Sequence, residues 1–155
     1  MKKWWPLLFF LLALDVATKI AAIHWIPPLS YSPYPFGGIG IFSFGGITCS
    51  LNYIVNTGAA WGMFAGYSGL LFAIRTLIIL GLVFFVPKRF PIWLVVTGAI
   101  GNAIDYCLYG HVVDFLHFTF WGYSFPIFNV ADSCITIGVL ALLIFSGKDK
   151  AVKAI

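Results

Sequence analysis

Four long stretches dominated by apolar side chains set the architecture this chain predicts. They run over residues 4–26, 67–86, 91–109 and 127–145. Each is close to the roughly 20 residues of helix that cross a hydrocarbon layer about 30 Å thick. The long connection after the first is different. It holds Pro27, Pro28, Pro33 and Pro35, then Gly37, Gly38, Gly45 and Gly46. Residues 47–55 (ITCSLNYIV) have the β-branched bias of a strand. The pattern predicts an all-α integral membrane protein. Four transmembrane helices carry a small extracytoplasmic β-sheet between helices 1 and 2, with all 155 residues in one domain. Trp25, Tyr31, Tyr34, Trp121 and Tyr123 fall near outer span ends, where amphipathic rings favour the headgroup layer.

Composition supports a bilayer as the solvent. Hydrophobic residues make up 61% and charged residues 9%, against about 25% charged in soluble domains. The net charge of +4 does not point to nucleic acid, because the basic residues cluster at span ends. Lys2 and Lys3, Lys88 and Arg89, and Lys148, Lys150 and Lys153 all fall on one side of a four-span chain. Connections 27–66 and 110–126 contain no Lys or Arg. Basic residues stay inside, so both termini are expected in the cytoplasm. The first stretch resembles a signal peptide in having Lys2 and Lys3 before an apolar run, but Asp15 and Lys19 interrupt it, and a retained span is expected. Cys49, Cys107 and Cys134 have no metal or redox spacing and read as small packing residues.

Depth is what singles out the acids. There is no Glu, and Asp149 lies in the C-terminal tail. Asp15 falls near mid-membrane, with Lys19 one turn further on the same face. Asp105 lies 14 residues past Pro91, roughly 21 Å along a helix, in the outer half. Asp114 and Asp132 come at the outer surface. A charge within a bilayer is costly unless paired or wetted, so four acids gathered in the middle and outer half mark a functional site. Asn56, Asn102 and Asn129 join them, with Asn102/Asp105 and Asn129/Asp132 spaced i, i+3. Asp15 with Lys19 reads as an ion pair, Asp105 as a polar anchor, and Arg75 as a partner for a carboxylate or a headgroup. Two other classes stay open on these residues alone. His111, Asp114 and His117 suggest a metal-dependent membrane hydrolase. The acids could also line a proton or cation path, although they stop near mid-membrane.

Five segments resemble the lipoprotein signal peptidase (signal peptidase II) family. They are Asp15-Val-Ala-Thr18-Lys19 (D-x-x-[ST]-K), Asn56-Thr57-Gly58-Ala59-Ala60-Trp61-Gly62 (N-T-G-A-[AS]-[FW]-G), Gly98 to Asp105 (G-A-x-G-N-x-x-D), Gly110 to Phe115 (G-x-V-V-D-F) and Phe128 to Ser133 (F-N-x-A-D-S). They occur in the family's order. The resemblance implies an aspartic endopeptidase with Asp114 and Asp132 as catalytic dyad. Asp15, Lys19, Asn56, Gly58, Asn102, Asp105 and Asn129 would support the site or the substrate. It also implies a prolipoprotein substrate, cut N-terminal to a diacylglyceryl-Cys, at the outer side of a bacterial cytoplasmic (inner) membrane. A monomer among membrane lipid, with no metal, cofactor or nucleic acid, is expected. One position departs: the family's G-N-x-x-D is usually followed by Arg, and here by Tyr106. Arg75 is a candidate to replace it. The Pro/Gly-rich outer loop is also longer than the family leads one to expect.

Overall fold

A computed structural model describes residues 3–26, 38–58, 67–85 and 89–152. Four helices occur: α1 (Trp5–Trp25), α2 (Ser68–Phe85), α3 (Phe90–Tyr109) and α4 (Val130–Val152). Lys2, Lys88, Lys153, Tyr31, Tyr34, the four loop prolines and residues 59–62 lie outside the described residues. So do the side chains of 146–152.

On length and composition α1 and α3 suffice to cross a membrane, with mean hydropathies of 2.0 and 1.3. Gly69–Phe85 and Val130–Phe145 are shorter apolar stretches. The helices are inside-out relative to those of a water-soluble protein. Phe9, Phe10, Leu77, Phe84, Leu143 and Ile144 are exposed, while Asp15, Lys19, Asn102 and Asp105 are buried. Such a surface is satisfied by hydrocarbon, and a polar interior then holds the helices together through directed contacts.

Helix ends follow local chemistry. Proline in the first turn of α1 and of α3 fits positions whose N–H groups have no partner inside the helix. The α3 terminus is Gly110, at φ 75°, whose N–H returns to the Tyr106 carbonyl. This left-handed residue turns the chain directly into a strand.

That strand is where the fold departs from expectation. The sheet has four antiparallel strands in the order β1 (Ile39–Phe44), β2 (Ile47–Asn56), β3 (Val112–Phe120) and β4 (Tyr123–Ser124). Its second half comes from the connection between α3 and α4, not from the α1–α2 connection alone, so "all-α" understates the architecture. The β2–β3 register pairs Ile54 with Asp114 and Asn56 with Val112, with an irregularity between Leu51 and Ile54. A cluster of Ala22, Ile26, Val113 and Phe115 seats the sheet on the end of α1. At the opposite end Leu8, Leu94 and Cys134 tie α1, α3 and α4. Of the expected interfacial rings, Trp25, Trp121 and Tyr123 are 78%, 77% and 57% exposed.

The helix α4 also starts three residues later than its apolar run. Phe128 pairs with β3 first, accepting from the Phe115 and Leu116 N–H groups and donating to the Leu116 carbonyl. This fixes Asn129 against the strand, directly before the helix.

Candidate active site

Lys19 organises the helical side of the site. Its ammonium lies 2.8 Å from Asp15 Oδ2 and 2.9 Å from Asp105 Oδ2, and donates to Asn102 Oδ1 at 2.9 Å. The Asp15 contact is ionic rather than a well-directed hydrogen bond. Asp15 Oδ1 instead accepts the Ala131 N–H at 2.7 Å, and Asp105 Oδ2 accepts the Val113 N–H at 3.1 Å. One cation thus joins α1 and α3, and its two carboxylates reach α4 and β3. Gly101 makes this approach possible, because a Cβ there would lie 2.5 Å from Asp15 Oδ2.

The N-terminus of α4 holds Asp132 in a reciprocal cap. Asn129 Oδ1 accepts the Asp132 N–H at 2.8 Å, and Asp132 Oδ2 accepts the Asn129 N–H at 3.3 Å. Asn129 at the cap and Asp132 three residues on is the geometry of a capping box. With Asp15 taking the Ala131 N–H, several donors that a helix start leaves over are satisfied.

Asn129 also joins the two acids that the resemblance singles out. Its Nδ2 donates to Asp114 Oδ1 at 2.7 Å, Asn102 Oδ1 at 3.1 Å and the Val113 carbonyl at 3.2 Å. Asp114 Oδ2 accepts from Asn56 Nδ2 at 2.8 Å, and Asp132 Oδ1 from Asn102 Nδ2 at 2.8 Å. Asn56 is oriented in turn, its Oδ1 accepting the Gly58 N–H at 2.9 Å. All nine expected site residues therefore fall in one connected network. The amide pairing differs from the i, i+3 expectation. Asn102 serves Asp132 rather than Asp105, and Asn129 caps α4 rather than riding on it, because the helix begins only at Val130.

The two carboxylates on Asn129 have amides where Asp15 and Asp105 have a cation. Burial, then the neighbouring charge of Asp132, push Asp114 up to about 7, against the pull of Asn56, Lys19 and Asn129. A carboxyl raised this far suits acid–base chemistry near neutral pH.

The candidate metal trio does not converge. Strand residues three apart face opposite sides, and His117 is buried between Ser124 Oγ at 2.9 Å from Nε2 and Ser50 Oγ at 3.4 Å from Nδ1. Among the described residues no three His, Cys, Asp or Glu side chains gather as metal ligands. Arg75, expected to partner a carboxylate or a headgroup, finds a backbone carbonyl. It reaches from α2 to the Gly58 carbonyl at 3.3 Å. Tyr106 stacks on Phe72 of α2, ring centroids 4.4 Å apart.

The chain is similar to known proteins in both fold and sequence. Two solved bacterial membrane enzymes, determined by the in meso method, superpose with TM-scores of 0.81 and 0.76 at 32% identity each. They cover 99% and 96% of this chain, and 92% and 95% of their own. Lipoprotein signal peptidases of Staphylococcus aureus strains JH9 and Newman are 43% identical over 106 residues, 63% of this chain. The chain spans 65% of the length of those curated relatives. The sequence profile of the signal peptidase (SPase) II family matches residues 7–147, nearly the whole chain, and the chain belongs to that family.

Proposed function

We propose that this protein is a membrane aspartic endopeptidase that removes signal peptides from diacylglyceryl-modified prolipoproteins, with Asp114 and Asp132 as its dyad. One observation carries the reading: both acids hang on Asn129 and are held by amides, while the other two carboxylates of the network share the ammonium of Lys19.

Two carboxylates sharing a buried site resist ionising together, so one proton is held between them. The ionised carboxylate takes a proton from a water between the two. The hydroxide attacks the carbonyl carbon of the scissile amide as the protonated carboxyl donates to the carbonyl oxygen. Collapse of the tetrahedral adduct breaks the C–N bond, and the amine leaves with a proton from the dyad. The pair titrates as a unit, and neither role is assigned to one residue. Asn56, Asn102 and Asn129 orient both carboxylates without supplying charge.

Four crossings with both termini in the cytoplasm place the dyad toward the outer face, where the sheet meets the helices. There a signal-peptide helix can enter from the bilayer and be cut where it ends, on the N-terminal side of the lipidated Cys. The S. aureus relatives carry the name lipoprotein signal peptidase, which favours this substrate class. The enzyme acts as a monomer in the bacterial inner membrane and uses no cofactor.

The test is cleavage of a diacylglyceryl-modified prolipoprotein by purified protein, with and without chelator, beside Asp114→Asn and Asp132→Asn. Wild-type cleavage that survives chelator and disappears in both folded variants is expected. Chelator sensitivity would instead revive the metal hydrolase. Cleavage persisting in either variant would reassign the dyad.

A further inference from the structure

Arg75 is the lone charged residue in α2, a helix whose other side chains are largely apolar and exposed. A guanidinium on such a surface is readily explained as reaching for a lipid headgroup. Its contacts point inward instead. It is half-buried, and it donates to the carbonyl of Gly58, a buried residue whose N–H holds Asn56 Oδ1. Asn56 then donates to Asp114. A continuous chain of hydrogen bonds therefore runs from Arg75 through Gly58 and Asn56 to one acid, and the same cation acts through space on Asp132, the other.

The charge tally shows why this matters. Asp15 and Asp105 of α1 and α3, Asp114 of β3 and Asp132 of α4 face one another with Lys19 of α1 and Arg75 of α2. Lys19 lies in direct contact with Asp15 and Asp105. Lys19 also acts through space on both acids of the dyad, but it is shared with two other carboxylates; Arg75 adds a second positive charge, on the Asp132 side. A pair that must carry one negative charge in a water-poor site needs a compensating charge nearby.

The helix is positioned for this. Phe72 stacks on Tyr106 of α3, and Gly69, one turn earlier, leaves room for the Tyr106 hydroxyl, which a Cβ there would meet at 3.4 Å. Phe72 and Arg75 are i, i+3 on one face of α2. The ring that docks α2 on α3 therefore also presents the guanidinium to the Gly58 turn.

We infer that Arg75 is a positioning residue for the dyad, holding Asn56 on Asp114 through the Gly58 carbonyl and adding its charge to that of Lys19 in keeping one of the two acids ionised. The inference rests on the aspartic reading above. Arg suits the role better than Lys, since its planar fork can hold a carbonyl and still face a carboxylate.

The experiment measures kcat and KM against pH for wild type, Arg75→Gln and Arg75→Lys on the diacylglyceryl-modified prolipoprotein, with Asp132→Asn as the inactive control. In Arg75→Gln, kcat should fall about tenfold with KM changed less than about twofold. The acidic limb of the profile should move to higher pH by about half a unit or more, because losing a nearby cation makes the pair hold its proton more tightly. Arg75→Lys should restore the limb and only part of kcat. An unmoved limb, or a loss confined to KM, would overturn the inference while an inactive Asp132→Asn still upheld the dyad. Activity in Asp132→Asn would overturn the dyad itself. If Arg75→Gln does not fold, Tyr106→Leu, which removes the stack on Phe72, should shift the same limb in the same direction by less. An unshifted limb in that variant would count equally against the inference.

Discussion

Asp105 and Asp114 are the same residue type, equally hidden, and linked through adjacent residues of one strand, yet their surroundings are opposite. Asp105 is 3% exposed and touches Lys19 and the Val113 N–H. Asp114 is 2% exposed and touches two asparagines. A cation at contact makes a carboxylate a structural tie between elements. Amides hold a carboxylate in place and leave it able to take a proton. Burial does not separate the two; the partner does.

The sharpest way to break this contrast is to neutralise each acid in turn. Asp132→Asn should lower cleavage by about 10⁴-fold and leave the unfolding temperature in detergent near wild type. Asp105→Asn should do the reverse, lowering stability first. If Asp105→Asn proves the more inactive while fully folded, the partner rule fails. Removing the cation is the next largest perturbation. Lys19→Met leaves Asp15 and Asp105 buried without a counter-charge, and about 3–5 kcal/mol of stability should be lost in chemical or thermal unfolding. A smaller loss comes from crowding the tie. Gly101→Ala drives a methyl onto Asp15 Oδ2 and should cost about 1–3 kcal/mol, with activity per folded molecule largely kept.

The smallest effect is in pH. Asp114 holds its proton more tightly folded than unfolded, its value raised from 3.8 to about 7. Its contribution to stability is therefore fully present below 3.8 and lost as pH rises through about 7. Asp114→Asn has no such loss. From about pH 5 to about pH 8 the melting temperature of the variant should gain on that of wild type by a few degrees. A gap that stays constant across this range would mean Asp114 is already an ordinary anion.

Much of this was legible in the chain, and the gaps have physical causes. Helices α1, α2 and α3 lie within one residue of their apolar runs, since a bilayer demands one continuous apolar stretch per crossing, while α4 starts three residues later than its run and continues seven residues past it. The strand at 112–120 was hidden by being read as a connection, although Val112, Val113, Phe115, Phe118, Thr119 and Phe120 carry the β-branched and aromatic bias already used for residues 47–55. Asn129 at a helix start is a cap signal, and reading it would have moved α4 to Val130. Lys19 meeting Asp15 followed from their spacing, but Asp105 joining them is a contact between helices that no local spacing encodes. The crossing of the amides, with Asn102 serving Asp132, is of the same kind. Arg75 was visible as an isolated charge; its reach to Gly58 was not, because it depends on where α2 docks.

The contact from Asp15 to the Ala131 N–H spans 116 positions of sequence, joining the first helix to the last. A membrane chain is made and inserted in order, so Asp15 and Lys19 meet within α1 long before α4 exists. During that interval Asp132 has not been synthesised, and Asn129 is not there to hold Asp114. The proposed dyad is incomplete until α4 has been made. The arrival of α4 closes the contact to the first helix and, in the proposed dyad, brings Asp132 to Asp114.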